Sequence, residues 1–156
     1  MSWTDIPADM LEQIYRQARE AFPSECCGYI YPPGPDGEPP ELVPCKNRQD
    51  ALHALDPEAH PRTSANAYNI GGKELLTLVR SFESERPVAI IYHSHPEVGA
   101  YFSEEDTRAA LAAGYPVDYL VVDCQAPGGG VPEALLFRRN ADAYEQVARY
   151  DGRDDI

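Results

Sequence analysis

Apolar residues at the start of the chain recur at three- and four-residue spacing: Met10, Leu11, Ile14, Tyr15, Ala18 and Phe22. That single stripe predicts an amphipathic helix. Thr4 or Asp5 is placed to cap it, Pro7 suits its first turn and Pro23 marks its end. The pattern then shortens. "CCGYIY" predicts a short buried strand, the breaker-rich stretch from Gly34 to Pro40 a hairpin-like loop, and "ELVPC" the strand that pairs back. Residues 46–66 show no clear period and hold Pro57 and Pro61, so they predict a long loop, with "AYNI" after it as a short strand.

Leu75, Leu76, Val79 and Phe82 line one side of a helix predicted over Lys73 to Glu85. "PVAIIYHSH" is a continuous, β-branched apolar run, as expected of a central strand covered on both faces. A glycine-containing loop leads to a third helix, from Ser103 to about Ala113. "YLVVDC" and "EALLFR" predict two more strands joined through "QAPGGGVP", and Asp142 to Tyr150 a closing helix. The sum is an α/β (or α+β) sandwich, a mixed central sheet flanked by helices, forming one domain over residues 1–150 with a flexible acidic tail at 151–156.

Composition narrows the function classes. At 156 residues the chain can close one hydrophobic core. Its formal charge of −13 argues against nucleic acid or an anionic membrane as partner, because phosphate recognition needs clustered Lys and Arg. No apolar run approaches the roughly 20 residues that span a bilayer. "MSWTDIPADM" lacks the basic and apolar regions of a signal peptide, so a cytoplasmic location is expected. Cys26, Cys27, Cys45 and Cys124 form no C-x-x-C pattern and predict free, buried thiols. Cys26 and Cys27, as strand neighbours, point to opposite faces and cannot jointly grip a metal.

The candidate chemistry lies in "YHSHPEVGAYFSEEDTRAA". His93 and His95, two residues apart at a strand end, project to one face, and Pro96 ends the strand. Asp106 falls in the first turn of the following helix, where the helix dipole favours a carboxylate. Two imidazoles and a carboxylate are a ligand set for one Zn²⁺, leaving a fourth position for water. His53 and His60, in the long loop without such partners, are read as solvent-facing.

His93-Ser94-His95-Pro96, six residues, then Ser103-x-x-Asp106 resembles the signature of the JAMM (MPN+) zinc metalloproteases, and Glu25 with Gly28 matches the E-x-x-G that the family carries upstream. The resemblance spans about residues 5–140. It implies an MPN-like, cytidine-deaminase-like fold, with His93, His95 and Asp106 as zinc ligands, Glu25 as general base and Ser103 as oxyanion donor. Ser103 is also a natural helix N-cap, and the two roles are compatible. The small single-domain members to which the chain is similar are processing or deconjugating enzymes. The resemblance thus implies a peptidase or isopeptidase cutting after the C-terminal glycines of a ubiquitin-like or sulfur-carrier protein, with E1- or E2-like proteins as further pathway partners. Loops 46–66 and Glu97 to Phe102 are expected to wall the groove for that tail. The long insertions of eukaryotic deubiquitinating members are missing. Two alternatives stand beside this reading: a non-catalytic MPN-type binding scaffold, and a zinc peptidase for cell-wall or other small peptides.

Overall fold

The computed structural model describes residues 3–156. Ten elements follow one another: α1 (Ala8–Ala21), β1 (Cys27–Tyr31), β2 (Glu41–Cys45), α2 (Gln49–Leu55), α3 (Gly72–Ser81), β3 (Ile90–Pro96), α4 (Glu104–Ala113), β4 (Asp118–Cys124), β5 (Val131–Asn140) and β6 (Ala143–Arg153). The strands form one sheet in the order β2-β1-β3-β4-β5-β6. Only β3 and β4 run parallel, with α4 in the connection between them; the other neighbours are antiparallel, so the sheet is mixed as expected.

Strand alternation splits the apolar residues into two layers. One face carries Cys26, Ile30, Ile90, Tyr92, Leu120 and Val122 against the Met10, Ile14, Tyr15 and Ala18 stripe of α1. The other carries Cys27, Tyr29, Ile91 and Tyr119 against Leu78 of α3 and Ala110 of α4. The adjacent cysteines therefore do face opposite ways, and all four thiols are free and buried. Pro7 occupies the N-cap position of α1, and neither Thr4 nor Asp5 caps it.

The largest correction concerns residues 142–150, expected as a helix. Asp142 lies in a turn, and residues 143–150 belong to β6, the edge strand paired with β5. Leu136 faces Ala148 and Phe137 faces Gln146, so Val147 is an extra residue at a bulge. The bulge switches the side-chain phase: Tyr144 packs with Phe102 and Tyr119, whereas Ala148 and Tyr150 pack on the α1 face. A broken two-residue period imitates a helical one. Asp151 to Arg153, expected in a flexible tail, complete this strand, and Tyr15 Oη donates to the Asp151 carbonyl at 2.9 Å. Two smaller differences lie in the long connection. Residues 46–66 include the short helix α2, and "AYNI" forms no strand.

Candidate metal centre

β3 ends with His93 and His95 on the same face, both buried, and α4 brings Asp106 over them. His93 Nε2 lies 3.2 Å from Asp106 Oδ1 and His95 Nε2 lies 3.1 Å from Asp106 Oδ2, with the two Nε2 atoms 3.2 Å apart. The three side chains thus present one donor atom each, all within 4.8 Å of one another. His95 Nδ1 sits 2.9 Å from the Gly99 carbonyl. That carbonyl only accepts, so Nδ1 carries a proton, the outer contact a metal-binding imidazole uses. Tyr68 stacks on His93 at 4.5 Å and Tyr101 meets the His95 ring edge-on at 5.1 Å.

Glu25 lies just before β1, on the face that Cys27 and Tyr29 continue, and is buried. Burial pushes its carboxyl above the usual carboxylate range, while the nearby imidazoles of His93 and His95 pull it back. Asp106 differs. Burial opposes its charge, but hydrogen bonds and attraction from both imidazoles hold it well below the ordinary range. Two carboxyls in one site are thereby driven apart, the pattern expected of one ligand and one proton carrier. Among the described residues, the two buried side-chain polar atoms without a hydrogen-bond partner are Glu25 Oε1 and His93 Nδ1. Both belong to this site. Orphaned buried polar atoms are costly, so their concentration beside three converging donors fits a cation and a water held there.

Ser103 caps α4 reciprocally. Its Oγ accepts from the Asp106 amide at 3.0 Å, and its own amide donates to Asp106 Oδ2 at 3.1 Å. The hydroxyl proton is not used in the cap, so it remains available to a substrate oxygen. The structure thus brings all five expected residues to one end of the sheet. His53 is half-buried rather than solvent-facing: its Nδ1 pairs with the His60 carbonyl at 2.8 Å and closes the loop after α2.

Several neighbours were not singled out from sequence. Ser94, between the two histidines, faces away from them, and its Oγ accepts from the Cys26 amide at 2.8 Å, fixing the backbone next to Glu25. Asn47 Nδ2 donates to the carbonyls of Glu25 and Ala67, and its Oδ1 accepts from the amides of Gln49 and Asn69. The Glu25 amide donates to the Ser64 carbonyl at 2.7 Å. Gly28 has a packing reason: a Cβ there would run into the Tyr92 hydroxyl and ring. Tyr92 Oη in turn donates to Gln17 Oε1 at 2.5 Å, while Gln17 Nε2 donates to the Cys27 carbonyl. Alternation could have flagged Ser94. Asn47, Ser64 and Tyr68 arrive from an irregular connection that gives no signal.

The model of prokaryotic homologs of the JAB domain matches residues 7–137. The chain belongs to that family. The match takes in every site residue and ends before β6. Among curated relatives, the CysO-cysteine peptidase of Mycobacterium tuberculosis (strain ATCC 25618 / H37Rv) is 29% identical over 124 residues, 78% of this chain and 74% of the relative. The protein of the same name from Mycobacterium bovis aligns equally well. A solution structure from Desulfitobacterium hafniense covers 90% of this chain and 86% of its own at 24% identity, with a TM-score of 0.59. One from Salinibacter ruber covers 95% and 89% at 20% identity, with a TM-score of 0.56. Those two share the fold of this JAB-domain protein.

Proposed function

We propose that this JAB-domain protein is a zinc-dependent peptidase that cuts after the C-terminal glycine tail of a sulfur-carrier or ubiquitin-like protein. The observation that carries the reading is the convergence of His93, His95 and Asp106 beside a buried, unpartnered Glu25. Family membership and the similarity to a CysO-cysteine peptidase support the peptidase class and point towards a carrier-protein substrate. His93, His95 and Asp106 would hold the ion. Bound there, zinc supplies Lewis acidity and brings the pKa of its water to about 7. Glu25 takes a proton from the attacking water and passes it to the leaving nitrogen, for which a pKa lifted by burial suits it. The Ser103 hydroxyl donates to the developing oxyanion. Tyr68 and Tyr101 hold the imidazoles from two sides and limit access of bulk water. A glycine tail suits a cleft where backbone must approach so closely.

The test sets zinc-loaded protein against carrier fusions ending in Gly-Gly and against cell-wall peptides, with chelator-treated protein in parallel. Cleavage after Gly-Gly, lost on chelation and restored by zinc, is expected. Zinc absent from purified protein and from reconstitution would favour a binding scaffold instead. Cleavage of cell-wall peptides alone would overturn the carrier substrate.

A further inference from the structure

The peptidase reading leaves open what departs when the tail is cut: another protein chain, or one amino acid whose own carboxylate is free. A cavity of ≈ 600 Å³ adjoins the centre, bordered by Asp106 and Tyr68 and carrying Arg62 and Arg108. These two guanidiniums share one carboxylate. Glu105 Oε2 pairs with Arg108 and lies 3.8 Å from Arg62 Nε, beyond hydrogen-bond length. Arg62 also donates to the Asn66 carbonyl at 3.2 Å, which leaves most of its five N–H donors uncommitted. Glu58 and His60 line the same cavity, Glu58 exposed and His60 engaged through its carbonyl with His53. The lining sets Arg62 and Arg108 against Glu58, Glu105 and Asp106, and Arg62, 3.8 Å from its carboxylate, is the guanidinium free to exchange partners.

Chemistry fixes which part of the substrate meets that cavity. Glu25 must hand a proton to the leaving nitrogen, so the leaving residue lies next to Glu25. Its carboxyl carbon sits two bonds from that nitrogen, about 2.5 Å away. A receptor for that carboxylate must therefore be a cation reaching the Glu25 side of the site. Arg62 lies two residues before Ser64, whose carbonyl accepts the Glu25 amide at 2.7 Å, so its segment runs beside Glu25. We propose that Arg62, backed by Arg108, receives the free α-carboxylate of a single amino acid joined to the end of a glycine-terminated carrier tail. The inference rests on the peptidase reading and narrows it to carboxylate-bearing adducts. The incoming carboxylate exchanges for the loose contact with Glu105 and gains the two-pronged geometry of a guanidinium pair. An isopeptide-linked protein offers no carboxylate at that position.

The test uses a peptide ending Gly-Gly-Ala as free acid and the same peptide as its C-terminal amide. With zinc-loaded protein, the acid should be preferred by about 10- to 100-fold in kcat/KM, chiefly through KM. Arg62→Gln should shrink that preference to within about threefold, and Arg62→Lys, which keeps the charge without the fork, should restore part of it. Equilibrium titration of both peptides onto Glu25→Gln protein should give the same order of affinity. Equal use of acid and amide by the unmodified protein, or a preference that survives Arg62→Gln, overturns the proposal. If neither peptide nor any Gly-Gly fusion is cut, the peptidase reading fails, while the titration still decides whether Arg62 recognises the carboxylate.

Discussion

On the α1 face of the sheet, Ile90, Tyr92, Leu120 and Val122 close into an apolar layer, and its polar pair, Gln17 with Tyr92, satisfies itself. On the opposite face the same strands begin with Ile91 and end with His93 and His95, beside Glu25 Oε1 and His93 Nδ1, which nothing among the described residues partners. One strand, β3, contributes to both, alternating Ile90, Tyr92 and Ser94 with Ile91, His93 and His95. The contrast separates stability from reactivity. The first face is satisfied and holds the frame, while the second keeps unmet polar capacity for what it binds.

The sharpest way to break the contrast is to remove the unmet capacity. His95→Ala should abolish zinc binding, read by metal analysis, and lower hydrolysis at least about a thousandfold. Glu25→Ala should keep one zinc per chain yet lose about a hundred- to ten-thousandfold in rate. Normal cleavage by Glu25→Ala would mean that the proton carrier lies elsewhere. On the satisfied face, Gly28→Ala should cost about 1–3 kcal/mol in denaturant melts, because the added methyl forces Tyr92 off its place over β1.

A subtler variant inverts the usual sign. The raised pKa of Glu25 means that the folded protein holds this proton more tightly than the unfolded chain does. The stability from that preference is complete below the unfolded carboxylate range, near pH 4, and is lost as pH rises through the raised folded value. Glu25→Gln should therefore stabilise metal-free protein at pH 7 by about 1–3 kcal/mol. Thermal melts should show the gain closing as pH falls. A loss of stability at pH 7 would place a partner for Glu25 in the metal-free state. The smallest effect concerns the thiols. Burial pushes Cys26 up to about 12, so native protein at pH 8 should label far more slowly than protein in urea, and blocking agents should leave activity intact.

The candidate ligands His93, His95 and Asp106, with the cap Ser103, were legible because they sit on one strand end and the next helix start, where local geometry alone aims them together. Glu25 needed the family pattern, since its place beside β3 depends on the β1–β3 pairing of Cys27 with His93. Asn47, Ser64, Arg62 and Tyr68 come from a connection whose only regular element, α2, is seven residues long, too short for a period to declare itself. The misread of residues 142–150 has a single cause, the bulged Val147, which shifts alternation by one residue midway along β6.

The reciprocal cap between Ser103 and Asp106 has a consequence in time rather than in space. Asp106 Oδ2 both receives the Ser103 amide and faces His95 Nε2, so the carboxylate that anchors the first turn of α4 is the one a cation would draw upon. Helix fraying and ion release then become one event seen from two ends. Amides of Asp106 and Thr107 should exchange with deuterium more slowly once zinc is present, and the off-rate of the ion should track the opening rate of that turn. The residence time of the metal would be set by the breathing of a helix end.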